Sequence, residues 1–195
     1  MTLGGKYSEL LLASTSPARE SLLKGLGLPF RVVPPDVDEY VSADTPPAHA
    51  VAILAEKKAR AVLARNPTAL VIGADQLVSF GGQAMGKAPD EATARRQLRS
   101  LRGKTHEILT GLCIVGLGFI LNEVDAARMT VLPLSDAEVD GYLATEEWKG
   151  CAGGYRIEGI GQTIFSRIDG DRTSIQGLPM QRVARALREA GLRFF

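Results

Sequence analysis

Residues 70–78 form an almost continuous apolar run, interrupted only by Asp75 and Gln76. A strand with one wet face alternates apolar and polar residues. A continuous run instead marks a strand covered on both faces. This segment therefore predicts a sheet with helices packed on each side, and the remaining elements must be able to supply those helices.

They do. Residues 9–13 read as a short buried strand, and Ser14, Thr15 and Ser16 precede Pro17 at a helix start. Ser16 is a good N-cap, and proline fits the first helical position because its missing N–H would have no partner there. Leu22, Leu23 and Leu26 give this helix its apolar face, and Gly25 or Gly27 ends it. Residues 30–33 form a second strand, stopped by Pro34 and Pro35. A longer helix runs from Thr45 and Pro46 to about Arg65, with Val51, Leu54, Ala55, Ala59 and Val62 as its stripe.

After the apolar strand, Asp90 opens a helix through Leu101 with Ala94, Leu98 and Leu101 inward. Residues 106–115 and 119–131 read as two strands around a turn holding Gly116 and Gly118. Ser135 and Glu138 form a capping box, so a helix runs to about Thr145. A glycine-punctuated loop and a strand occupy residues 153–168, and residues 169–171 make a turn. Pro179 opens a last helix carrying Met180, Val183, Ala184 and Leu187. Strands alternating with helices define an α/β protein with a mixed twisted sheet flanked by helices. The 195 residues suit a single domain, 1–195, bent into two lobes.

Charge narrows the partners. The net charge is +1, with 23 Lys and Arg against 22 Asp and Glu. Nucleic-acid binding draws most of its affinity from a basic excess, which this chain lacks overall. A small anionic ligand needs only a few local cations. Cys113 and Cys151 are far apart in apolar or glycine-rich surroundings and read as buried, reduced thiols. Leu10, Leu11, Leu12 and Ala13 are too short a run for a signal peptide or membrane span, which points to the cytoplasm.

Three places can carry chemistry. The strand-to-helix junction from Ser14 to Arg19 offers hydroxyls, free backbone N–H groups and an arginine. Helix starts of this kind bind phosphate, although a well-capped helix with a solvated Arg19 has the same sequence. Lys58 falls between Leu54 and Val62, in the middle of an apolar stripe. It must either snorkel outward or meet an anion. Asp75 sits in a buried run, where a carboxylate is costly unless paired, hydrogen-bonded or bound to metal. It is either a turn or capping residue, or a metal ligand or general base at a strand end.

Gly81, Gly86 and Lys87 match P-loop spacing, but Ala88 stands where Ser or Thr should hold magnesium and Pro89 blocks a helix start. A turn presenting Lys87 fits better. His49 and His106 are isolated and read as structural.

In chain order these pieces resemble the Maf family of nucleotide pyrophosphatases. The residues that carry the resemblance are Leu12 to Arg19, Gly27 to Phe30, Asp36 to Glu39, and Lys58 with Ala59. They continue with Ile72 to Asp75, Gly86 with Lys87, and Gly103 with His106, Thr110 and Gly111. Ala152 to Tyr155 and Gly177 to Pro179 complete the ordered set. The resemblance implies a fold like that of inosine triphosphate pyrophosphatases, with a cleft between lobes. It implies Asp75 as proton acceptor, with Ser14, Arg19, Lys58 and Lys87 on the phosphates. Glu39 and Asp75 would hold a divalent cation, Mg2+ or Mn2+, and a homodimer fits the family.

Within that family, Gln76 and Glu158 are similar to the 7-methyl-GTP pyrophosphatase branch, whereas the dTTP and UTP branch carries Thr and Gln at these places. Ala18 stands where the family often has Arg and where this branch can carry an aromatic residue. Guanine presents two adjacent donors that a carboxylate accepts together, and methylation at N7 adds positive charge. The expected reaction is hydrolysis of 7-methyl-GTP to 7-methyl-GMP and pyrophosphate. The alternatives are a pyrophosphatase of dTTP, UTP or other modified nucleotides, and a regulatory nucleotide- or nucleic-acid-binding protein without turnover.

Overall fold

The computed structural model describes residues 5–194. Seven strands and six helices are found among them. The strands are β1 (Leu10–Ala13), β2 (Arg31–Val32), β3 (Leu70–Phe80), β4 (Gln83–Met85), β5 (Thr105–Gly116), β6 (Phe119–Val131) and β7 (Phe165–Asp169). The helices are α1 (Pro17–Lys24), α2 (Pro47–Arg65), α3 (Glu91–Leu101), α4 (Asp136–Leu143), α5 (Arg172–Ile175) and α6 (Met180–Glu189). The sheet order is β2-β1-β3-β5-β6-β7, with β4 beside β3. β1 runs parallel to β2 and β3, whereas β4 and β7 run antiparallel to β3 and β6, so the sheet is mixed. No helix among the described residues is long and apolar enough to cross a membrane.

The chain divides into two compact units. The first holds residues up to Gln76, Thr110–Asp125 and Arg172 onward. Its strands are covered on both faces, as the apolar run of β3 requires. One face sets Leu10, Leu12, Leu70, Ile72 and Ala74 against Leu23 of α1 and Val183, Ala186 and Leu187 of α6. The other sets Leu11, Ala13, Val71, Cys113 and Val115 against Ala55, Ala59 and Val62 of α2. Alternation along β3 therefore sends even-numbered residues toward α6 and odd-numbered residues toward α2.

Two glycines let α2 lie close on the sheet. A Cβ at Gly73 would collide with the Ala55 carbonyl and with Ala59, and one at Gly111 would collide with the Val51 carbonyl. Small residues on both sides of this contact bring helix backbone onto strand backbone.

The second unit holds Leu77–Leu109 and Ala126–Asp171. Its core joins Ala94, Leu98 and Leu101 of α3 to Val139, Tyr142 and Leu143 of α4. The capping box is present: Ser135 Oγ accepts from Glu138 N at 3.2 Å, and Glu138 Oε2 accepts from Ser135 N at 2.7 Å. The P-loop-like glycines instead form a hairpin turn. Gly81 and Gly82 have φ of +60° and +77°, and β3 and β4 pair across them from Val78 to Met85.

Several expectations are corrected. The apolar strand extends past Val78 to Phe80, and β4 and α5 have no counterpart in the sequence reading. The strand expected somewhere within residues 153–168 is β7, Phe165–Asp169, preceded by a 3-10 helix over Ile160–Ile164. Ala186, rather than half-buried Ala184, completes the apolar face of α6. Cys113 is buried but Cys151 is half-exposed, because it lies in the loop after α4 rather than in an element.

Candidate functional site

β1 ends at Ala13, opposite Gly73 of β3, and Asp75 lies two residues further along β3. The site thus begins where the parallel pairing with β3 stops, at the carboxyl end of β1. In open α/β sheets this is the position at which ligands gather. Asp75 is inside its strand, not at its end or in a turn, and points to the α2 face by alternation.

There it meets Lys58. The ammonium lies 2.6 Å from Asp75 Oδ1 and 2.9 Å from Glu39 Oε1. Both Lys58 and Asp75 are buried. Lys58 therefore does not snorkel: it joins two carboxylates. The Gly73 contact explains the geometry, since it lets the turn of α2 carrying Ala55, Lys58 and Ala59 approach β3 closely.

Glu39 comes from an irregular segment between β2 and α2 that α2 grips with its own cations. Lys57 Nζ donates to the Asp38 carbonyl. Arg65 binds Asp36 Oδ2 at 3.1 Å and the Pro34 carbonyl at 2.7 Å. Asp36 sits at φ +48°, in the left-handed region that a short polar residue tolerates. Sequence reasoning missed Lys57 and Arg65, because exposed cations on a helix carry no periodic signal.

The junction between β1 and α1 is built from serines. Ser14 is buried, and its hydroxyl accepts from Ser16 N at 3.1 Å. Ser16 caps α1 with a long 3.5 Å contact from Arg19 N. Ala18 is half-buried in the first turn of α1 and presents no aromatic surface. Arg19 is half-buried, and its Nε donates to the Gly177 carbonyl at 2.9 Å. Burial lowers the pKa of its guanidinium, while the charges of Asp75 and Glu39 raise it. Ser14, Arg19, Glu39, Lys58 and Asp75 thus all belong to the first unit, and Arg19 senses both carboxylates.

Gln76 points away from Asp75, to the α6 face. Its Nε2 donates to Thr110 Oγ1 at 3.0 Å and to the Ser174 and Ile175 carbonyls at 2.7 and 3.1 Å. The two carbonyls can only accept, which fixes the amide orientation and leaves Oε1 as the free atom.

Lys87 and Glu158 belong to the second unit. Both are exposed, and neither side chain has a hydrogen bond or ion pair among the described residues. Lys87 follows β4 and bridges Ala152 through its backbone. Glu158 lies in a turn before the 3-10 helix, whose first N–H groups, Ile160 and Gly161, donate to Glu147 at 3.1 Å each. The Cys151 thiol is raised in pKa by burial first, and it also senses Arg156, Glu158 and Lys87. The second unit therefore brings Lys87 and Glu158 into one neighbourhood.

His49 is exposed on α2. His106 is buried, with Nε2 2.6 Å from the Tyr155 hydroxyl.

Among the described residues no group of three His, Cys, Asp or Glu is arranged to hold a metal. Glu39 and Asp75 nonetheless converge on one cation-sized point, held by the Lys58 ammonium. This donor set fits magnesium, which takes one or two carboxylates and completes its shell with phosphate oxygens and water.

A buried lysine is thus shared by two carboxylates, and an arginine at a helix start lies in the field of both. The chain belongs to the Maf family, matching Maf-like proteins over residues 9–190. It is 41% identical to the dTTP/UTP pyrophosphatase of Koribacter versatilis, over 94% of this chain and 95% of that protein. It is 40% identical to the 7-methyl-GTP pyrophosphatase of Albidiferax ferrireducens, over 95% and 94% of the two chains. It is also 40% identical to the nucleoside triphosphate pyrophosphatase of Rhodopseudomonas palustris, over the full length of both. Among solved structures, the Staphylococcus aureus Ham1 protein aligns with a TM-score of 0.47 at 15% identity, over 65% of this chain and 73% of that one.

Proposed function

We propose that this protein is a nucleoside triphosphate pyrophosphatase that converts 7-methyl-GTP to 7-methyl-GMP and pyrophosphate. The observation that carries the reading is the buried Lys58–Asp75 pair, extended by Glu39 and lying in the field of Arg19. Carboxylates repel phosphate. A protein that only bound nucleotides would have no use for two of them among its cations.

In this reading Asp75 accepts the proton of a water that attacks the α-phosphorus. The new P–O bond forms as the bond to the β-phosphate bridging oxygen breaks, and pyrophosphate leaves with the electron pair. Lys58 holds Asp75 in place through the 2.6 Å contact, and then shares its charge with the phosphates. Arg19 has its Nε engaged by Gly177 and keeps its two terminal nitrogens for phosphate oxygens. Ser14 and the Ala18 N–H in the first turn of α1 add donors, and Lys87 adds a further cation. A divalent ion bound by Glu39 and Asp75 would supply electrostatic stabilisation of the charge that develops on the phosphate oxygens.

The choice of base rests on Glu158, with Gln76 and Ala18 as the other positions that differ between branches. Glu158 is an exposed carboxylate without a partner among the described residues, and Gln76 has only an acceptor left. Acceptors suit the paired donors on the edge of guanine and the positive charge of its N7-methylated form. A pyrimidine would leave part of the Glu158 carboxylate desolvated and unpaired, at about 1–3 kcal/mol or more.

The test is kcat/KM across a nucleotide panel, with pyrophosphate and monophosphate measured as products. The expected result is 7-methyl-GTP above GTP, UTP and dTTP, with Glu158→Gln shifting the ratio toward UTP. A native preference for UTP or dTTP would overturn the base assignment, and Ala18 is then the first residue to suspect.

A further inference from the structure

The reading above gives Thr110 and the Gly177–Pro179 motif no role of their own. In the structure they meet at one backbone atom. The Ser174 carbonyl accepts from Gly177 N at 2.8 Å, Gln76 Nε2 at 2.7 Å and Thr110 Oγ1 at 2.9 Å. A carbonyl oxygen has two lone pairs, so three donors saturate it and fix the turn. The Ser174 hydroxyl donates to Asp125 Oδ2, and Asp125 Oδ1 accepts from Arg182 at 2.7 Å. Arg182 is held in turn by Glu123 at 2.9 Å. Side chains from β3, β5 and β6 thus grip α5 and the turn that follows it. Thr110 and Ser174 are fully buried.

The turn ends at Gly177, whose φ of +103° favours glycine. Its carbonyl takes Arg19 Nε, and a Cβ at Gly177 would stand 3.3 Å from that same nitrogen. Arg19 makes no other side-chain hydrogen bond among the described residues. Its place is therefore set by a carbonyl on a turn that is itself over-determined from the sheet.

We infer that Thr110, Gln76, Ser174 and Asp125 are positioning residues that fix Arg19 for phosphate through the Gly177 carbonyl. The inference rests on the proposed function to the extent that Arg19 meets phosphate. With Nε committed, the terminal edge of the guanidinium is pre-organised for two phosphate oxygens, which saves ordering it on binding. It also explains why β3 places adjacent polar residues back to back. Asp75 faces the reacting groups, and Gln76 spends its nitrogen on the turn that steadies Arg19.

The experiment measures binding of inorganic pyrophosphate by calorimetry to a double-mutant cycle. Thr110→Val keeps the shape and removes the donor, and Thr110→Ser restores it. Arg19→Lys keeps the charge but cannot grip the carbonyl and phosphate together. Thr110→Val is expected to weaken pyrophosphate binding roughly three- to tenfold, the scale of one ordinary hydrogen bond. Thr110→Ser should recover it. In the Arg19→Lys background Thr110→Val should change binding by less than about twofold, because coupled sites are not additive. Equal losses in both backgrounds, or no loss in folded Thr110→Val, would overturn the inference. If Thr110→Val does not fold, Asp125→Asn takes its place in the same cycle. Normal nucleotide turnover with an additive cycle defeats this inference alone. A coupled cycle without turnover of any nucleoside triphosphate defeats the proposed function alone.

Discussion

Lys58 Nζ lies 2.6 Å from Asp75 Oδ1, with both side chains nearly sealed from water. Glu39, which shares the lysine, is far more exposed. Breaking a buried pair by removing one partner leaves an uncompensated charge, at about 3–5 kcal/mol, whereas removing both costs much less. Lys58→Met should therefore lower stability by a few kcal/mol, and Lys58→Met with Asp75→Asn should recover most of that loss. Chemical denaturation of the three proteins reads this directly. Equal stability of the single and double variants would mean that the pair is not coupled.

His106 gives a pH dependence separate from catalysis. Burial pushes its imidazole down to about 4, and its Nδ1 has no hydrogen-bond partner among the described residues. The folded state resists protonation while the unfolded state titrates near 6.5. The contribution of neutral His106 is thus complete above about pH 6.5 and is lost as pH falls toward 4, at roughly 3 kcal/mol in total. His106→Gln, which can still bond Tyr155, should flatten the unfolding free energy between pH 7 and 4. An unchanged slope in the variant would assign the acid sensitivity elsewhere.

The proposed divalent ion rests on the two carboxylates gathered around Lys58. Turnover should vanish in EDTA and return with added magnesium or manganese, and Glu39→Gln should raise the metal concentration needed for half-maximal rate. Full activity in excess chelator would remove the divalent ion from the account.

Much of this site is legible in the sequence, because each visible residue breaks a pattern. Asp75 interrupts an apolar strand and Lys58 interrupts an apolar helix stripe, so both announce a buried charge that needs a partner. That the partner of each is the other is not legible. It depends on Gly73 and Gly111 letting α2 settle on the sheet, and a glycine in a strand reads equally well as a bulge or a weak point. The turn at Ser174 was hidden for a related reason: its grip comes from Gln76, 98 positions away, and from Thr110, 64 away. β4 was missed because its three residues follow two glycines that pattern with a phosphate loop rather than with a hairpin. α5, at four residues, is too short to show a helical period.

The central claim is that Asp75 handles the proton of the attacking water. It is tested most directly by steady-state turnover of folded Asp75→Asn with pyrophosphate release as the readout. The account predicts a loss in kcat of about a hundredfold or more with KM little changed, as for a positioned base removed from a standing site. Near-normal turnover in a folded Asp75→Asn protein would contradict it and return Asp75 to the role of a structural partner for Lys58.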